Sequence, residues 1–361
     1  MRILSVVRKH YYGSPKAIEP MYLYFTLPLK EMGHEVDTFD HYEMSQRLGR
    51  ERASEVLMDR VRRGRFEIVF YQTSGREPVD TARLADVSKK VCVAAWNSDD
   101  DWQWGTTRRI AGHFTFMITT YPHIHEQNRS QYPNLLLSQW ACPGDFSDFR
   151  KEKDIDFSFV GSIYGERNGA CRFLQRRAGL VSFGRGSRLV RFRLPYLRGI
   201  FKLPWLSGRP LQIQRMYDIW NRSRISYTPL TGSSGGKFLQ VKGRIFEMGL
   251  SGTLVLCERS PLLERYYCPD KEIVTFACLE DCAEKALWYI SHESERMRIA
   301  KSYYEKTLRE HMWKHRFTDL FHQMGILAAP AASRAQANAQ FAESRSLPAD
   351  SRKLIVDAEE R

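Results

Sequence analysis

The sequence predicts an α/β protein built from two doubly wound, parallel-sheet domains. Three observations predict it. From residue 2 to about residue 137, short apolar or β-branched runs alternate with helix-length segments. The phrase Leu29-Lys-Glu-Met-Gly-His-Glu-Val36 packs a helix end, a glycine stop and a strand start into eight residues. The alternation then restarts at Asp156-Phe-Ser-Phe-Val-Gly-Ser162.

The elements follow in order. Residues 2–7 read as a buried strand, 19–33 as a helix and 35–39 as the next strand. A helix is expected at 50–63, a strand at 68–71, a helix at 79–88 and strands at 91–95, 116–119 and 135–137. The second unit reads as strands at 156–162, 180–183, 224–228, 253–257 and 273–276. Its helices are expected at 166–178, 212–222, 239–250, 280–291 and 294–310. The domains are therefore 1–150 and 151–327. Residues 328–361 turn to Ala, Ser, Arg and Gln and read as a flexible tail.

Composition bounds the function. The chain has 361 residues, 43% hydrophobic and 12% aromatic, enough for two real cores. No run approaches the ~18–20 apolar residues of a membrane span. The start, Met1-Arg-Ile-Leu-Ser-Val-Val7, is too short an apolar run for a signal peptide, so a cytoplasmic chain is expected. Its seven cysteines are scattered and form no C-x-x-C pair, so neither structural zinc nor another metal site is expected. The sequons at Asn128 and Asn221 carry no meaning in a cytoplasmic chain. Residues 151–250 hold 19 basic and 6 acidic side chains, which accounts for the whole net charge of +13. A field so localised attracts phosphates, nucleic acid or an anionic membrane.

Within that third, Gly232-Ser-Ser-Gly-Gly-Lys237 precedes the expected helix 239–250. A Gly/Ser loop feeding a helix offers free N–H groups to a diphosphate, here through Gly235 and Gly236. Lys237, Lys242 and Arg244 would add charge-assisted contacts. The Walker pattern is absent, and an ordinary surface loop fits the composition equally well.

The run Lys242-Gly243-Arg244-Ile245-Phe246-Glu247-Met248-Gly249, followed by Ser251-Gly252-Thr-Leu-Val-Leu-Cys257, resembles the R-x-F-E…G block of group 1 glycosyltransferases. It looks most like their spore-maturation-protein (CgeB-like) branch. Lys271-Glu-Ile-Val-Thr-Phe276 and Arg309-Glu-His-Met-Trp-Lys-His-Arg316 resemble that branch's close. Phe157-Ser-Phe-Val-Gly161-Ser162 with Arg167 resembles the start of its C-terminal domain, and Met216–Ser223 the helix before its glycine loop. Trp96–Asp101, Ile118–Thr120 and Gln139–Pro143 extend the likeness to the N-terminal half.

The resemblance implies a GT-B architecture of two Rossmann-like domains, with the nucleotide-sugar site on the second. By that analogy Glu247 takes the ribose hydroxyls, which a carboxylate does better than a neutral group. The competing role is a helix-surface glutamate paired with a nearby cation. Arg167, with Gly161 and Ser162, would meet the diphosphate from the other side, or else be a solvated helix arginine. The wider family often carries a first glutamate eight residues earlier; here that position is Leu239, so retaining chemistry is not implied.

A base must then come from the first domain. Asp99-Asp100-Asp101 follows an expected strand, where Asp99 or Asp100 could take the acceptor's proton. The triplet also reads as a helix N-cap cluster, or as the manganese motif of GT-A enzymes, which lack a second α/β unit. His10, after the first strand, is the other base candidate. Residues 185–209 mix Arg and Lys with Trp, Phe and Leu and contain no acid. They read as a docking loop for an anionic membrane, or as a packed insertion with snorkelling arginines.

The resulting expectation is a glycosyltransferase. It moves a sugar from a nucleotide-diphosphate donor to a glycan or lipid-linked hydroxyl, without metal or other cofactor, in cell-envelope glycan synthesis. It would be cytoplasmic, or peripheral on the inner membrane face. The alternatives are a nucleotide-binding protein without catalysis and a nucleic-acid binder using the basic third. No nucleic-acid module supports the latter.

Overall fold

The computed structural model describes residues 1–10, 17–186, 211–230 and 241–327. The glycine-rich loop with Gly235, Gly236 and Lys237, most of the basic segment 185–209 and the tail 328–361 lie outside the described residues.

The first sheet holds β1 (Arg2–Val7), β2 (Glu35–Asp40), β3 (Ile68–Gln72), β4 (Cys92–Asn97), β5 (Phe116–Thr119) and β6 (Leu135–Leu137). Its order is β2-β1-β3-β4-β5-β6, with these strands paired in parallel and Ile3 lying between Val36 and Ile68. Helices α1 (Pro20–Glu31), α2 (His41–Leu48), α3 (Arg50–Gly64), α4 (Ala82–Val87), α5 (Asp100–Thr107) and α6 (Pro122–Asn128) connect the strands. Strand β3 is buried along its whole length, as a central parallel strand covered on both faces must be.

The second sheet holds β7 (Ile155–Val160), β8 (Val181–Phe183), β9 (Ser223–Thr228), β10 (Leu254–Glu258) and β11 (Val274–Phe276), in the order β11-β10-β9-β7-β8, again parallel. Its helices are α7 (Arg167–Ala178), α8 (Ile213–Arg222), α9 (Gly243–Glu247), α10 (Pro261–Glu264), α11 (Leu279–Ser291) and α12 (Glu293–Glu310). The chain order reverses between β1 and β3 in one sheet and between β7 and β9 in the other. The carboxyl ends at such reversals are where open α/β sheets bind ligands.

Two features tie the sheets together. Residues 138–154 connect them, and Lys153 Nζ donates to the carbonyls of Asn221 and Ser251, each at 2.6 Å. Asn221 uses its amide structurally, donating to Phe146 O at 2.8 Å and accepting from Asp148 N at 3.0 Å. Later, α13 (Trp313–Gln323) begins beside the first sheet. Buried Trp313 packs on Tyr24, Phe25 and Trp96 at ring separations of 5.7, 5.8 and 5.4 Å. Each such buried aromatic contributes on the order of 1.5–3 kcal/mol through lost apolar exposure.

One helix departs from expectation. The helix expected at 239–250 is only Gly243–Glu247 among the described residues, followed by a 3-10 turn at Met248–Leu250. The tightening has local causes. The Ile245 carbonyl is taken by the Tyr303 hydroxyl, and Ser251 N donates to Met248 O at 2.9 Å. Gly249 lies flat on the Thr307 side chain of α12, where a Cβ would collide. A five-residue helix supplies little dipole, so charge at this place comes from side chains.

Candidate functional site

At the carboxyl end of β7, three cations converge. Arg244, on α9, donates from Nη1 to Val160 O at 3.1 Å and lies over the Phe159 ring at 5.5 Å. Gly161 makes room for it. A Cβ there would stand 2.9 Å from Nη1, and the backbone, at φ +150°, is one that side-chain-bearing residues rarely adopt. Arg167, the first residue of α7, is largely buried; Nη1 donates to Ser162 O at 3.3 Å and the guanidinium covers Tyr164 at 4.4 Å. Lys242 occupies the position before α9.

These cations act on one another. Burial pushes the Lys242 ammonium down to about 8; Arg167 and Arg244 push the same way, while Asp101 and Asp99 oppose. Burial also lowers Arg244 to about 10, with Arg167 adding to the fall and Glu247 opposing it. Positive groups held close at a cost in solvation form a receptor for an anion.

Glu247 ends α9 on the same edge. Its Oε1 accepts from the Tyr24 hydroxyl of α1 at 2.7 Å, across 223 residues of sequence. Burial raises the pKa of this carboxyl, and Tyr24 and Arg244 both draw it back toward ionisation. The contact is to a phenol of the other domain, which the sequence did not announce.

The facing edge of the first sheet is different. Thr73, Asn97, Thr119, Thr120 and Gln139 are buried at or just beyond the ends of β3 to β6. The aspartate triplet opens α5, and its members diverge. Asp100 is fully buried and accepts from the Thr107 hydroxyl at 3.0 Å; burial raises its pKa to about 6 against opposition from Thr119 and Thr107. Asp99 keeps exposed surface, and its pKa is raised by desolvation and by Asp101 and lowered by Lys242. Asp101 acts on Tyr121 and His123 as well as on Lys242. His10 sits partly buried past β1, bridged to Ile18.

Between the edges lies a cavity of about 160 Å³. Ile18 and Pro20 line it from the first domain, and Gly161, Ser162, Arg185 and Met216 from the second. The structure thus brings Arg167, Lys242, Arg244, Glu247, Gly161 and Ser162 to one edge. Gly161 N is already engaged by Phe183 O at 3.0 Å, and Ser162 uses its carbonyl on Arg167, so these two shape the site. Sequence reasoning missed Tyr24. No sequence signal marked Tyr24, whereas Asp101 stood within the noted triplet.

Residues 149–322, nearly half the chain, match the family model described as glycosyl transferase-like. The protein is a glycosyltransferase. Its two parallel-sheet domains have the GT-B fold, and the match over 149–322 supports a group 1 glycosyltransferase. The glycosyltransferase is similar to a sucrose-phosphate synthase from Thermosynechococcus elongatus at 10% identity and TM-score 0.57, covering 91% of this chain and 100% of that one. It is similar to an alpha-glucosyltransferase in complex with UDP-glucose and DNA containing an abasic site (13% identity, TM-score 0.56, 90% and 99% covered). A third similar structure is Anabaena HepE in complex with UDP and glucose (11% identity, TM-score 0.52, 91% and 100% covered). No curated protein sequence matches the chain. Among the described residues of the glycosyltransferase, no helix is long and apolar enough to cross a membrane.

Proposed function

We propose that this enzyme transfers a sugar from a nucleotide-diphosphate donor to a hydroxyl on a glycan or lipid-linked acceptor, without a metal, as a member of the CgeB-like branch. The observation that carries the reading is the convergence of Arg167, Lys242 and Arg244 beside Glu247 at the β7 edge. Glu247 accepts from the ribose hydroxyls. The three cations hold the diphosphate and neutralise the negative charge that grows on it as the bond to the sugar breaks. Fold neighbours seen with UDP and glucose or with UDP-glucose make a UDP-linked hexose the first donor to try.

The acceptor hydroxyl enters from the first domain and gives its proton to a carboxylate there. Asp99 suits that role better than Asp100, because it keeps solvent exposure, while Asp100 is buried and accepts from Thr107. His10 is the second base to test. A cytoplasmic enzyme at the inner membrane face, acting in envelope glycan synthesis, suits the basic segment 185–209.

A thermal-shift screen against UDP-, GDP-, dTDP- and CMP-sugars, followed by donor hydrolysis, tests the reading. One nucleotide class is expected to raise the melting temperature, and Glu247→Ala to abolish the rise. Stabilisation by none of them at millimolar concentration overturns it. Cosedimentation with anionic vesicles, lost on deleting 187–209, tests the membrane part; unchanged binding refutes it.

A further inference from the structure

We propose that Tyr24 is a positioning residue for Glu247, through which the first domain sets the orientation and charge of the donor-side carboxylate. The inference rests on the reading of Glu247 given above. Tyr24 has no exposed surface, and its hydroxyl meets Oε1 at 2.7 Å. The phenol is held by packing on the first sheet and on α13. Its ring stacks on Trp313 at 5.7 Å, while adjacent Phe25 packs on Phe70 and Trp96 at 6.1 and 5.5 Å. Helix α1 is thereby fixed to its own sheet, and the hydroxyl reaches out of that sheet's packing to a residue of the other.

The chemistry needs such a partner. A carboxylate accepts from ribose hydroxyls only while ionised, and burial favours its neutral form. The titratable groups facing it are Tyr24 from α1, Arg244 from its own helix, Tyr217 from α8, Cys142 from the connection and Tyr303 from α12. Among the described residues, Tyr24 from the first domain and Arg244 from the second favour the ionised form. A hydrogen bond to a charged acceptor is roughly twice as strong as a neutral one, and it fixes the direction of the remaining lone pairs.

The same helix also borders the cleft. Ile18 and Pro20 line the cavity, and Pro20 precedes Tyr24 by one helical turn on the same face. A ligand seated against Pro20 therefore bears on the helix that holds Glu247. Occupancy of that cavity and the geometry of Glu247 share one helix.

The test compares wild type, Tyr24→Phe, Glu247→Gln and the double variant. Calorimetry measures the nucleoside diphosphate that stabilises wild type most, from pH 5.5 to 8.5. Phe keeps the ring and its stacking, so the melting temperature should change little. Affinity should fall about tenfold at pH 7.5, the equivalent of one lost charge-assisted hydrogen bond. The pH at which binding collapses should move upward, because the carboxyl loses a group that favours its charge. Donor KM should rise with kcat nearly unchanged, and in the Glu247→Gln background the phenol should have no further effect on the pH profile. Wild-type affinity and pH profile in Tyr24→Phe overturn the inference and leave the donor site standing. A pH-independent loss accompanied by a large drop in melting temperature makes Tyr24 merely structural and also overturns it. Absence of nucleotide binding by wild type overturns both readings.

Discussion

The carboxyl end of β7 carries Arg167, Lys242 and Arg244, whereas the carboxyl ends of β3 to β6 carry Thr73, Asn97, Thr119, Thr120 and Gln139 with the aspartates beyond. Both sheets are parallel, and both reverse their order beside the first strand. Similar topology therefore offers two similar crevices, and side chains alone divide their work. One edge concentrates buried positive charge that burial and mutual repulsion hold in a strained ionic state. The other buries neutral hydrogen-bonding groups and leaves one aspartate open to solvent. The first suits a diphosphate and the second a sugar hydroxyl.

The largest effect that would break this comparison comes from Arg244→Ala. Nucleoside diphosphate affinity should fall about 30- to 100-fold, the loss of a buried charge-assisted contact. Asp99→Asn should leave that affinity within about threefold and lower turnover by about 100-fold or more. Binding measured by calorimetry, set beside turnover, separates the two edges. Equal effects of the two variants on nucleotide binding would remove the division of labour.

A smaller effect sharpens the account of the aspartate triplet. Asp100 titrates near 6 in the fold, above its ordinary value of 3.8. A carboxyl with a raised pKa favours the fold while protonated; that advantage is full below 3.8 and is lost as pH rises from there through about 6. Asp100→Asn should therefore match wild type in stability near pH 3 and exceed it at pH 8 by up to about 3 kcal/mol. Denaturant melts at the two pH values check this. Destabilisation at both would mean that the ionised carboxylate is needed to hold Thr107.

Much of the fold was legible because parallel strands buried on both faces leave continuous apolar runs. The strands at 116–119 and 135–137 fall at the expected bounds. Helix α9 was overdrawn because its carbonyl is diverted to Tyr303, a contact 58 residues away. The cationic half of the site was legible through the motif around Glu247. Arg167 joins it because β7 and β9 are neighbours. The base was not legible. Consecutive residues on a helix point about 100° apart, so Asp99, Asp100 and Asp101 meet solvent, Thr107 and Tyr121 respectively, and nothing in the triplet says which. Tyr24 was hidden for a similar reason, since its partner lies across the cleft.

The central claim is that the cations at the β7 edge are poised for a diphosphate, and Lys242 reports on it. Burial and two arginines hold its ammonium at about 8, so at pH 8.5 much of it is neutral. A bound diphosphate favours the charged form, and binding must then draw a proton from solvent. Calorimetric titration with UDP at pH 8.5, in two buffers of different ionisation enthalpy, measures that proton directly. The account predicts uptake of an appreciable fraction of a proton by wild type, vanishing at pH 6 and in Lys242→Gln. UDP binding with no proton uptake at pH 8.5, or with equal uptake by the variant, would contradict it.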